Sequence, residues 1–318
     1  MGLSLCGRPY TGVLRLTIVK PATACRGRER PGVFDSKRSG DGALSEELCS
    51  SVCRQEKNCS MNATDRRKDD HWNDHWTNYA TSAALNPAQT YRRKLVFETL
   101  ALRDAKKAVR LLDLGSGSGD FAREVLEERP DAEVLGLDFS ASGVELCRRT
   151  VPGAQFVQQD FTKPIVLDDR YRGWATHAVC SEVLEHLDDP EAMLKNVRTL
   201  FAPGCRLVVT VPAGPMSAFD RSIGHRRHFS PALLEQTLRQ AGLQVADLRG
   251  AGFPFFNAYR LVVVARGKKL IDDVADRGDA KLPLSARAAM RAFSWLFRFN
   301  TAKTRLGWQL VALGAEPQ

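Results

Sequence analysis

The sequence predicts an α/β protein with a doubly wound, mostly parallel sheet of seven strands and a helical insertion before the last strand. Short apolar runs alternate with helical patterns through most of the chain, which is typical of parallel sheets covered by helices on both faces. A glycine-rich turn joins the first apolar run to the helical pattern that follows it. With 318 residues, 43% of them hydrophobic and 26% charged, the chain is long enough to bury a substantial core.

The first half of the sheet can be followed in order. Asn86 and Pro87 predict the start of a helix, with Asn as its cap and Pro in its first turn. The segment "AVRLLDLGSGSGDFAREVLEERP" then predicts a strand, a loop and a helix, and "AEVLGLDFSASGVELCRR" and the shorter "AQFVQQDFTKP" repeat that order. A fourth strand and helix occupy "WATHAVCSEVLEHLDDPEAMLKNVRTLFAPG", where Pro203-Gly204 is expected to close the helix.

Three further strands and the insertion complete the pattern. "CRLVVTVPAG" predicts the fifth strand, and "SPALLEQTLRQAGLQVADLRG" predicts a helix capped by Ser230, with Pro231 first inside, followed by the sixth. "RLGWQLVALGAEP" predicts the last strand. Residues 252–303 hold two amphipathic helical patterns that are also basic. They either cover the sheet or the site, or present a basic, aromatic surface to lipid or to a lipid-linked substrate.

Residues 1–60 differ from the rest of the chain. They lack a sustained period and contain five of the eight cysteines. We expect a disordered or mis-assigned extension, with one domain over 61–318 that begins at Met61, and a transit peptide is a third option. The extension holds ten Lys/Arg and six Asp/Glu, so the net charge falls from +9 for the whole chain to +5 without it. The mild charge that remains argues against a nucleic-acid partner.

No apolar run approaches the about 18 residues that span a bilayer. The N-terminus is a poor signal peptide, because its apolar stretch is short and contains Arg15. We therefore expect a soluble, cytoplasmic protein with reduced thiols, for which peripheral membrane contact stays open.

The turn in "LLDLGSGSGD" points to a nucleotide-like cofactor. Gly115, Gly117 and Gly119 let the backbone bend sharply and approach a ligand without a side chain in the way. The spacing is GxGxG, whereas dinucleotide sites have GxGxxG, and Asp120 stands where their third glycine would be. With Asp113 just before the turn, the acids favour a cationic ligand over a diphosphate.

Two more acids follow the next strands. Asp138 ends the second strand, where a carboxylate can accept hydrogen bonds from ribose hydroxyls. Asp160 and Phe161 are expected to end the third strand, where an acid can accept from an adenine amino group and a ring can pack on the base. Parallel sheets bind ligands at these carboxyl ends, so we expect the acids of all three strands to share one site.

Together "LLDLGSGSGD", "LGLDFS", "QQDF" and "VCSEVLEHLDDP" resemble the class I S-adenosylmethionine-dependent methyltransferases, most of all the ubiquinone-biosynthesis O-methyltransferase type, over about residues 86–250. The resemblance implies a Rossmann-like methyltransferase fold and S-adenosylmethionine as the cofactor. The cofactor-binding residues that it implies are Asp113, Gly115, Ser116, Gly117, Gly119, Asp138, Phe139, Asp160, Phe161 and Ser181. One departure is Gln89, which stands where the family tends to have an arginine for the cofactor carboxylate; Arg92 or Arg93 could replace it.

The resemblance implies methyl transfer to a small-molecule or lipid-linked acceptor, with a hydroxyl as one option for the accepting atom. A hydroxyl needs a base to take its proton. His186, beside Glu185, is the candidate, and the alternative is that both residues begin a helix and support the loop.

The segment "SIGHRRHFSP" places His225, Arg226, Arg227 and His228 in the loop after the fifth strand. At that edge of the sheet they are expected either to bind a phosphate or carboxylate of the acceptor or to tie the loop to the domain. We expect no metal, because the histidines lack a convincingly spaced acid or cysteine set in the sequence.

Three other classes of function share features with this sequence. The GxGxG spacing and Asp160 argue against a nicotinamide dehydrogenase. Base-amino methylases usually have Asn/Asp-Pro-Pro-aromatic after the fourth strand, where this chain has Cys180-Ser181-Glu182-Val183. A nucleic-acid or protein methyltransferase and a non-catalytic S-adenosylmethionine-binding protein remain the alternatives.

Overall fold

A computed structural model of the chain describes residues 86–275 and 283–318. The predictions of an extension over 1–60, of a transit peptide and of a domain beginning at Met61 concern residues that are not described, and they stay predictions.

The described residues form α-helices and strands in the alternating order that the sequence predicts. The helices are α1 Pro87–Leu100, α2 Asp120–Glu128, α3 Ala141–Thr150, α4 Pro190–Val197, α5 Ala218–Ser222, α6 Pro231–Gln240, α7 Phe255–Ala275 and α8 Leu284–Leu296. The strands are β1 Arg110–Leu114, β2 Glu133–Asp138, β3 Gln155–Gln158, β4 Ala175–Ser181, β5 Phe201–Pro212, β6 Gln244–Ala251 and β7 Gln309–Ala315. Single turns of 3-10 helix occur at Leu102–Asp104, Asp169–Tyr171, Leu184–His186, Arg198–Leu200 and Phe297–Phe299.

The seven strands form one sheet in the order β3-β2-β1-β4-β5-β7-β6. The strands from β1 to β5 pair in parallel, whereas β7 is antiparallel to both β5 and β6. The prediction of a mostly parallel, doubly wound sheet with a helical insertion before the last strand is confirmed. The chain winds outward in opposite directions from β1 and β4, so the loops after these strands diverge and leave a crevice at their carboxyl ends.

Both faces of the sheet are buried. On β1, Leu112 and Leu114 point to the face that α4 and α6 cover, and Leu111 points to the opposite face. The second face is covered by α1, α2 and α3, and by Phe256 of α7. The sheet is therefore sandwiched between two layers of helices.

The helix caps confirm the local predictions at two places and correct one. The side chain of Asn86 accepts a hydrogen bond from Ala88 N at 2.9 Å, and that of Ser230 accepts from Leu233 N at 3.1 Å. The prediction that Pro203-Gly204 closes the fourth helix is wrong. That helical segment ends in the 3-10 turn Arg198–Leu200, and both residues lie inside β5, which starts at Phe201 because Phe201 already pairs with β4.

Among the described residues, no helix has the length and apolar character needed to cross a membrane. The cysteines of this part of the chain, Cys147, Cys180 and Cys205, are buried free thiols.

Candidate active site

A cavity of about 670 Å³ opens at the carboxyl ends of the strands. Nearly all residues predicted to bind the cofactor line it, namely Asp113, Gly115, Ser116, Gly117, Asp138, Phe139, Asp160, Phe161 and Ser181. The structure therefore brings the loops after four different strands to one place. The far wall comes from the loop after β5 and from α7, which contributes Phe256, Tyr259, Arg260 and Val263.

The glycine-rich turn has the backbone geometry that only glycine adopts easily. The φ angles are 77° at Gly115, 54° at Gly117 and 75° at Gly119. A Cβ on Gly115 would lie 2.4 Å from Cγ2 of Val183, so the turn packs tightly against the loop after β4. Gly119 does not line the cavity; it is the N-cap residue of α2.

Asp113 is the most unusual carboxylate of the site. Its side chain is buried in the wall of the cavity, and its Oδ2 atom has no hydrogen-bond partner among the described residues. Burial, and then the charge of Asp138, raise the pKa of Asp113 to about 7. A cationic donor group in the cavity would supply the missing hydrogen bond to Oδ2 and would offset the effects of burial and of the Asp138 charge on the ionised carboxylate. The residues present therefore fit a ligand with an ammonium group.

Asp138 is held by the backbone. Its Oδ2 accepts from Gly117 N at 2.7 Å, and its Oδ1 accepts from Ser140 N at 2.8 Å. Burial raises the pKa of Asp138, and the two backbone N–H groups oppose that shift. The carboxylate is thus fixed in orientation, and its oxygens retain lone pairs for ligand hydroxyls.

Asp160 and Phe161 lie just beyond β3. The prediction that they end the strand is wrong by two residues, because β3 stops at Gln158. Asp160 accepts from Thr162 N at 2.9 Å and pairs with Lys163 at 2.8 Å. Burial would raise the pKa of Asp160, but hydrogen bonds from Lys163 and Thr162 outweigh it and lower the pKa. The Phe161 ring is 4% exposed and is packed in the core where the core meets the cavity.

Gln89, Arg92 and Arg93 on α1 all line the cavity. Arg92 donates to Oε1 of Gln309 at 2.9 Å and pairs with Glu182 at 3.1 Å. Arg93 donates to Glu124 at 2.6 Å. Both arginines that could replace the missing family arginine are therefore within the site, each already paired with an acid.

Sequence reasoning missed the polar network around Glu182. This residue follows β4 with a φ of 58°, and it accepts from Gln309 at 2.9 Å and Thr210 at 3.2 Å. Thr210 also lies 2.8 Å from Oγ of Ser181, which lines the cavity as the resemblance implies. One feature of the sequence could have indicated this network: Gln309 is a polar residue at the start of an otherwise apolar strand.

Glu185 and His186 form a 3-10 turn rather than the start of a helix. The His186 side chain lines the cavity, and its ring packs edge-on against His225 with centroids 4.7 Å apart. Glu185 is fully buried and does not line the cavity, and neither of its carboxylate oxygens has a hydrogen-bond partner among the described residues. Burial, and then the charge of Glu182, raise the pKa of Glu185 well above its usual range.

The two arginines of the loop after β5 tie that loop to this turn. Arg226 donates through Nε to the His186 carbonyl at 2.6 Å and pairs with Asp188. Arg227 donates to the carbonyls of Leu187 and Asp188 at 3.1 and 2.8 Å. Arg226 lines the cavity but Arg227 does not. For Arg227 these contacts match the second of the two expectations, in which the residue ties the loop to the domain.

The histidines of the loop are close to each other and to an acid. His225 Nδ1 lies 3.3 Å from His228 Nε2, which in turn lies 3.7 Å from Asp220. Burial, and then the nearby His186, lower the pKa of His225 to about 3, so the ring is neutral. Burial also lowers the pKa of His228, whose side chain does not line the cavity.

Asp220 is a further residue that sequence reasoning missed. Its carboxylate accepts from Arg260 at 2.8 Å and from Ser217 N at 2.7 Å within the capping box of α5. Burial would raise the pKa of Asp220, but the hydrogen bond and the charge of Arg260 outweigh it and lower the pKa to about 2. The pair holds α5 against α7 at the far wall of the cavity.

Two groups of side chains have the atom types and spacing of metal ligands: Glu185, His186 and His225, and Asp220, His225 and His228. In each group the ligand atoms lie within 4.8 Å of one another. The spacing in the sequence did not indicate these groups, because the fold brings Asp220 and Glu185 close to the histidines. The expectation of a metal-free site stays a prediction.

Comparison with known proteins gives one family. A family model described as a methyltransferase domain matches residues 88–248. A ubiquinone biosynthesis O-methyltransferase of Aeromonas salmonicida is 28% identical over 173 residues, 48% of this chain and 70% of that protein. A demethylmenaquinone methyltransferase of Thermus thermophilus is 35% identical over 131 residues, 41% of this chain and 57% of that protein.

Solved structures show the same fold. The methyltransferase in complex with the Haloferax volcanii Trm112 methyltransferase activator aligns with a TM-score of 0.50 and 18% identity, covering 78% of this chain and 98% of that one. The phosphoethanolamine N-methyltransferase 2 of Haemonchus contortus, in complex with S-adenosyl-L-methionine, aligns with a TM-score of 0.51 and 12% identity, covering 78% and 60%. At these identities the likeness concerns the fold alone.

Proposed function

The chain belongs to the family of S-adenosylmethionine-dependent methyltransferases, and we propose that it transfers the methyl group to a hydroxyl of a small-molecule or lipid-linked acceptor. The observation that carries the proposal is the buried Asp113 carboxylate in the cavity wall, whose Oδ2 atom has no partner among the described residues. The ammonium group of the methionine part of the cofactor is the kind of ligand that such a carboxylate accepts.

The remaining contacts follow the shape of the cofactor. The Gly115–Gly119 turn allows the methionine part to approach the backbone, and Asp138 accepts hydrogen bonds from the ribose. Asp160 and Phe161 bind the adenine from its amino edge and its face. Arg92 and Arg93 on α1 are the cations available on that side of the described cavity for the methionine carboxylate.

When bound, S-adenosylmethionine supplies a methyl group on a positively charged sulfur. The protein has to hold the acceptor in line with that methyl group and to accept the proton of the hydroxyl. We infer that His186, which lines the cavity, is the base that accepts the proton of the acceptor hydroxyl. Glu185 is a positioning residue in this scheme, because its buried carboxyl does not line the cavity and so cannot touch the acceptor.

The acceptor end of the cavity favours an apolar molecule. Its lining includes Phe219 and Ile223 after β5 and Phe256 and Val263 of α7. Two relatives are named for ubiquinone biosynthesis and for demethylmenaquinone, which supports a ring-bearing acceptor with a hydrophobic tail. A cytoplasmic location belongs to the same proposal and is supported by the buried, free thiols of the described cysteines.

The proposal is tested by labelled methyl transfer from S-adenosylmethionine to a catechol that carries a short prenyl chain. His186→Gln should lower turnover by about 10²- to 10⁴-fold while the cofactor affinity is kept. His177→Gln is the matched control, because His177 lies on β4 outside the cavity lining. Unchanged turnover in His186→Gln would remove the base assignment, and methyl label on nucleic acid or protein in a cell extract, with none on the catechol, would favour the alternative acceptors.

The loop after β5 is tested separately. His225→Ala should lower turnover and leave cofactor binding intact, because His225 lines the cavity beside His186. Arg227→Ala should mainly lower the free energy of unfolding, because its guanidinium donates only to backbone carbonyls among the described contacts. If Arg227→Ala is as stable as the wild type but cannot turn over, this residue binds the acceptor instead.

A further inference from the structure

The outer face of α8 and the 3-10 turn after it carries large apolar and basic side chains side by side. Its members are Leu284, Arg287, Arg291, Trp295, Arg298 and Phe299, which recur at helical spacing and are all exposed. Leu284 is 81% exposed, Trp295 56% and Phe299 57%. The Trp295 and Phe299 rings contact each other with centroids 5.0 Å apart, so they form one aromatic patch.

The inner face of the same helix already has its packing partners. Phe293 packs on Tyr259 of α7 with ring centroids 5.3 Å apart, and the buried Phe297 packs on Tyr91 of α1 at 5.5 Å. The domain core therefore accounts for the apolar residues of the inner face. Leu284, Trp295 and Phe299 of the outer face, in contrast, do not belong to the described core and are exposed.

Among the residues of α7, α8 and the following loop whose side chains the structure describes, the charge has one sign. The described side chains over 253–269 and 283–306 include nine Lys/Arg and no Asp/Glu. None of Arg287, Arg291 and Arg298 forms an ion pair with a described residue. A surface that is cationic and aromatic together is complementary to one that is anionic and apolar together.

We propose that the outer face of α8 docks on the surface of an anionic lipid bilayer. Tryptophan, phenylalanine and leucine would enter the boundary between headgroups and acyl chains, and the arginines would reach the lipid phosphates. A helix of 13 residues that lies flat in the interface needs no membrane-spanning length.

This docking goes beyond the proposed function, because a bilayer can be bound without any methyl transfer. It also connects to the active site through α7. Tyr259 packs on Phe293 of α8 and at the same time lines the cavity. Arg260 and Val263, on the same helix α7, also line the cavity. The docking face is therefore the outer side of the same helical layer whose inner side forms the acceptor wall.

Co-sedimentation of the full chain with vesicles tests the proposal, using phosphatidylcholine alone and phosphatidylcholine with phosphatidylglycerol. The wild type should bind the mixed vesicles and much less the neutral ones, and added salt should weaken the binding. Arg287→Glu/Arg291→Glu should lower partitioning at least about tenfold, because each basic residue near an anionic surface contributes a several-fold factor. Lys106→Glu/Lys107→Glu is the matched control, since it reverses two exposed charges before β1 and should change partitioning less than about twofold.

The apolar contribution is tested with Trp295→Ser/Phe299→Ser against Val166→Ser, a control at a side chain that is 82% exposed elsewhere. Only the first variant should lose vesicle binding, and both should bind S-adenosylmethionine as the wild type does. Equal binding by all variants, or no binding by the wild type, overturns the proposal. So does a wild-type oligomer that Trp295→Ser/Phe299→Ser dissociates, because the face would then be covered by a second copy of the chain.

Discussion

Relative to the wild type, the ligand-free Asp113→Asn variant should become more stable as the pH rises, although the substitution removes a proposed binding residue. In the folded protein Asp113 keeps its proton up to about pH 7, because its pKa is raised from 3.8 to about 7 by burial and by Asp138. The unfolded chain releases the same proton near pH 4. The wild type therefore loses stability as the pH rises through this window, and the asparagine variant does not.

The magnitude follows from the size of the shift. About three pKa units correspond to ~4 kcal/mol once the carboxyl is ionised in both states. Between about pH 5 and about pH 8 the difference in the free energy of unfolding between Asp113→Asn and wild type should increase by ~2–3 kcal/mol in favour of the variant. Any constant cost of burying the amide shifts this difference at every pH and leaves its slope unchanged.

Urea unfolding of the ligand-free protein at a series of pH values measures this slope. Asp131→Asn is the control: a hydrogen bond from Arg129 lowers the pKa of the exposed Asp131, so its difference from wild type should stay constant over the same window. The Asp113→Asn variant should also bind S-adenosylmethionine about ten- to hundredfold more weakly, since a hydrogen bond to a charged group is lost. A flat difference for Asp113→Asn would refute the burial argument.

Two other substitutions test the packing of the glycine-rich turn and the ion pair at the far wall of the cavity. Gly115→Ala should lower the free energy of unfolding by about 1–3 kcal/mol, because its Cβ would lie 2.4 Å from Val183 at a φ of 77°. Gly153→Ala, whose Cβ meets only the end of the Leu126 side chain at 3.2 Å, should cost clearly less in the same urea titration, and equal costs would contradict the reasoning. Arg260→Met should cost roughly 3 kcal/mol in thermal or urea unfolding, because it removes the arginine that pairs with the buried Asp220 carboxylate. A change below about 0.5 kcal/mol would show that the pair does not hold α5 against α7.

The succession of strands and helices along the chain, and the part of the cavity lined by the acids after the first three strands, could be predicted from the sequence because they depend on local signals. Apolar runs located the strands, and Asn86 and Ser230 located two helix starts. The glycine-rich turn identified the first loop. Because ligands bind at the carboxyl ends of parallel strands, Asp113, Asp138 and Asp160 could be predicted to lie at one site.

The acceptor side depends on contacts between residues that are distant in sequence. Asp220 meets Arg260 only because α5 packs against α7, and Gln309 reaches Glu182 only because β7 inserts between β5 and β6. The sequence left open whether Arg227 binds the acceptor or ties the loop to the domain, and in the structure its guanidinium donates to two backbone carbonyls. No local pattern distinguishes an arginine that binds a ligand from one that binds a carbonyl forty residues away.

Calorimetric titration tests whether this cavity binds S-adenosylmethionine with the ribose on Asp138. The full chain should bind S-adenosylmethionine and not NAD, and Asp138→Ala should weaken the binding at least about tenfold, because it removes two ribose hydrogen bonds to a charged group. Val166→Ala, at an exposed side chain away from the cavity, should bind like the wild type. Binding of NAD in preference to S-adenosylmethionine, or an Asp138→Ala variant that stays folded and binds S-adenosylmethionine as tightly as the wild type, would contradict the account.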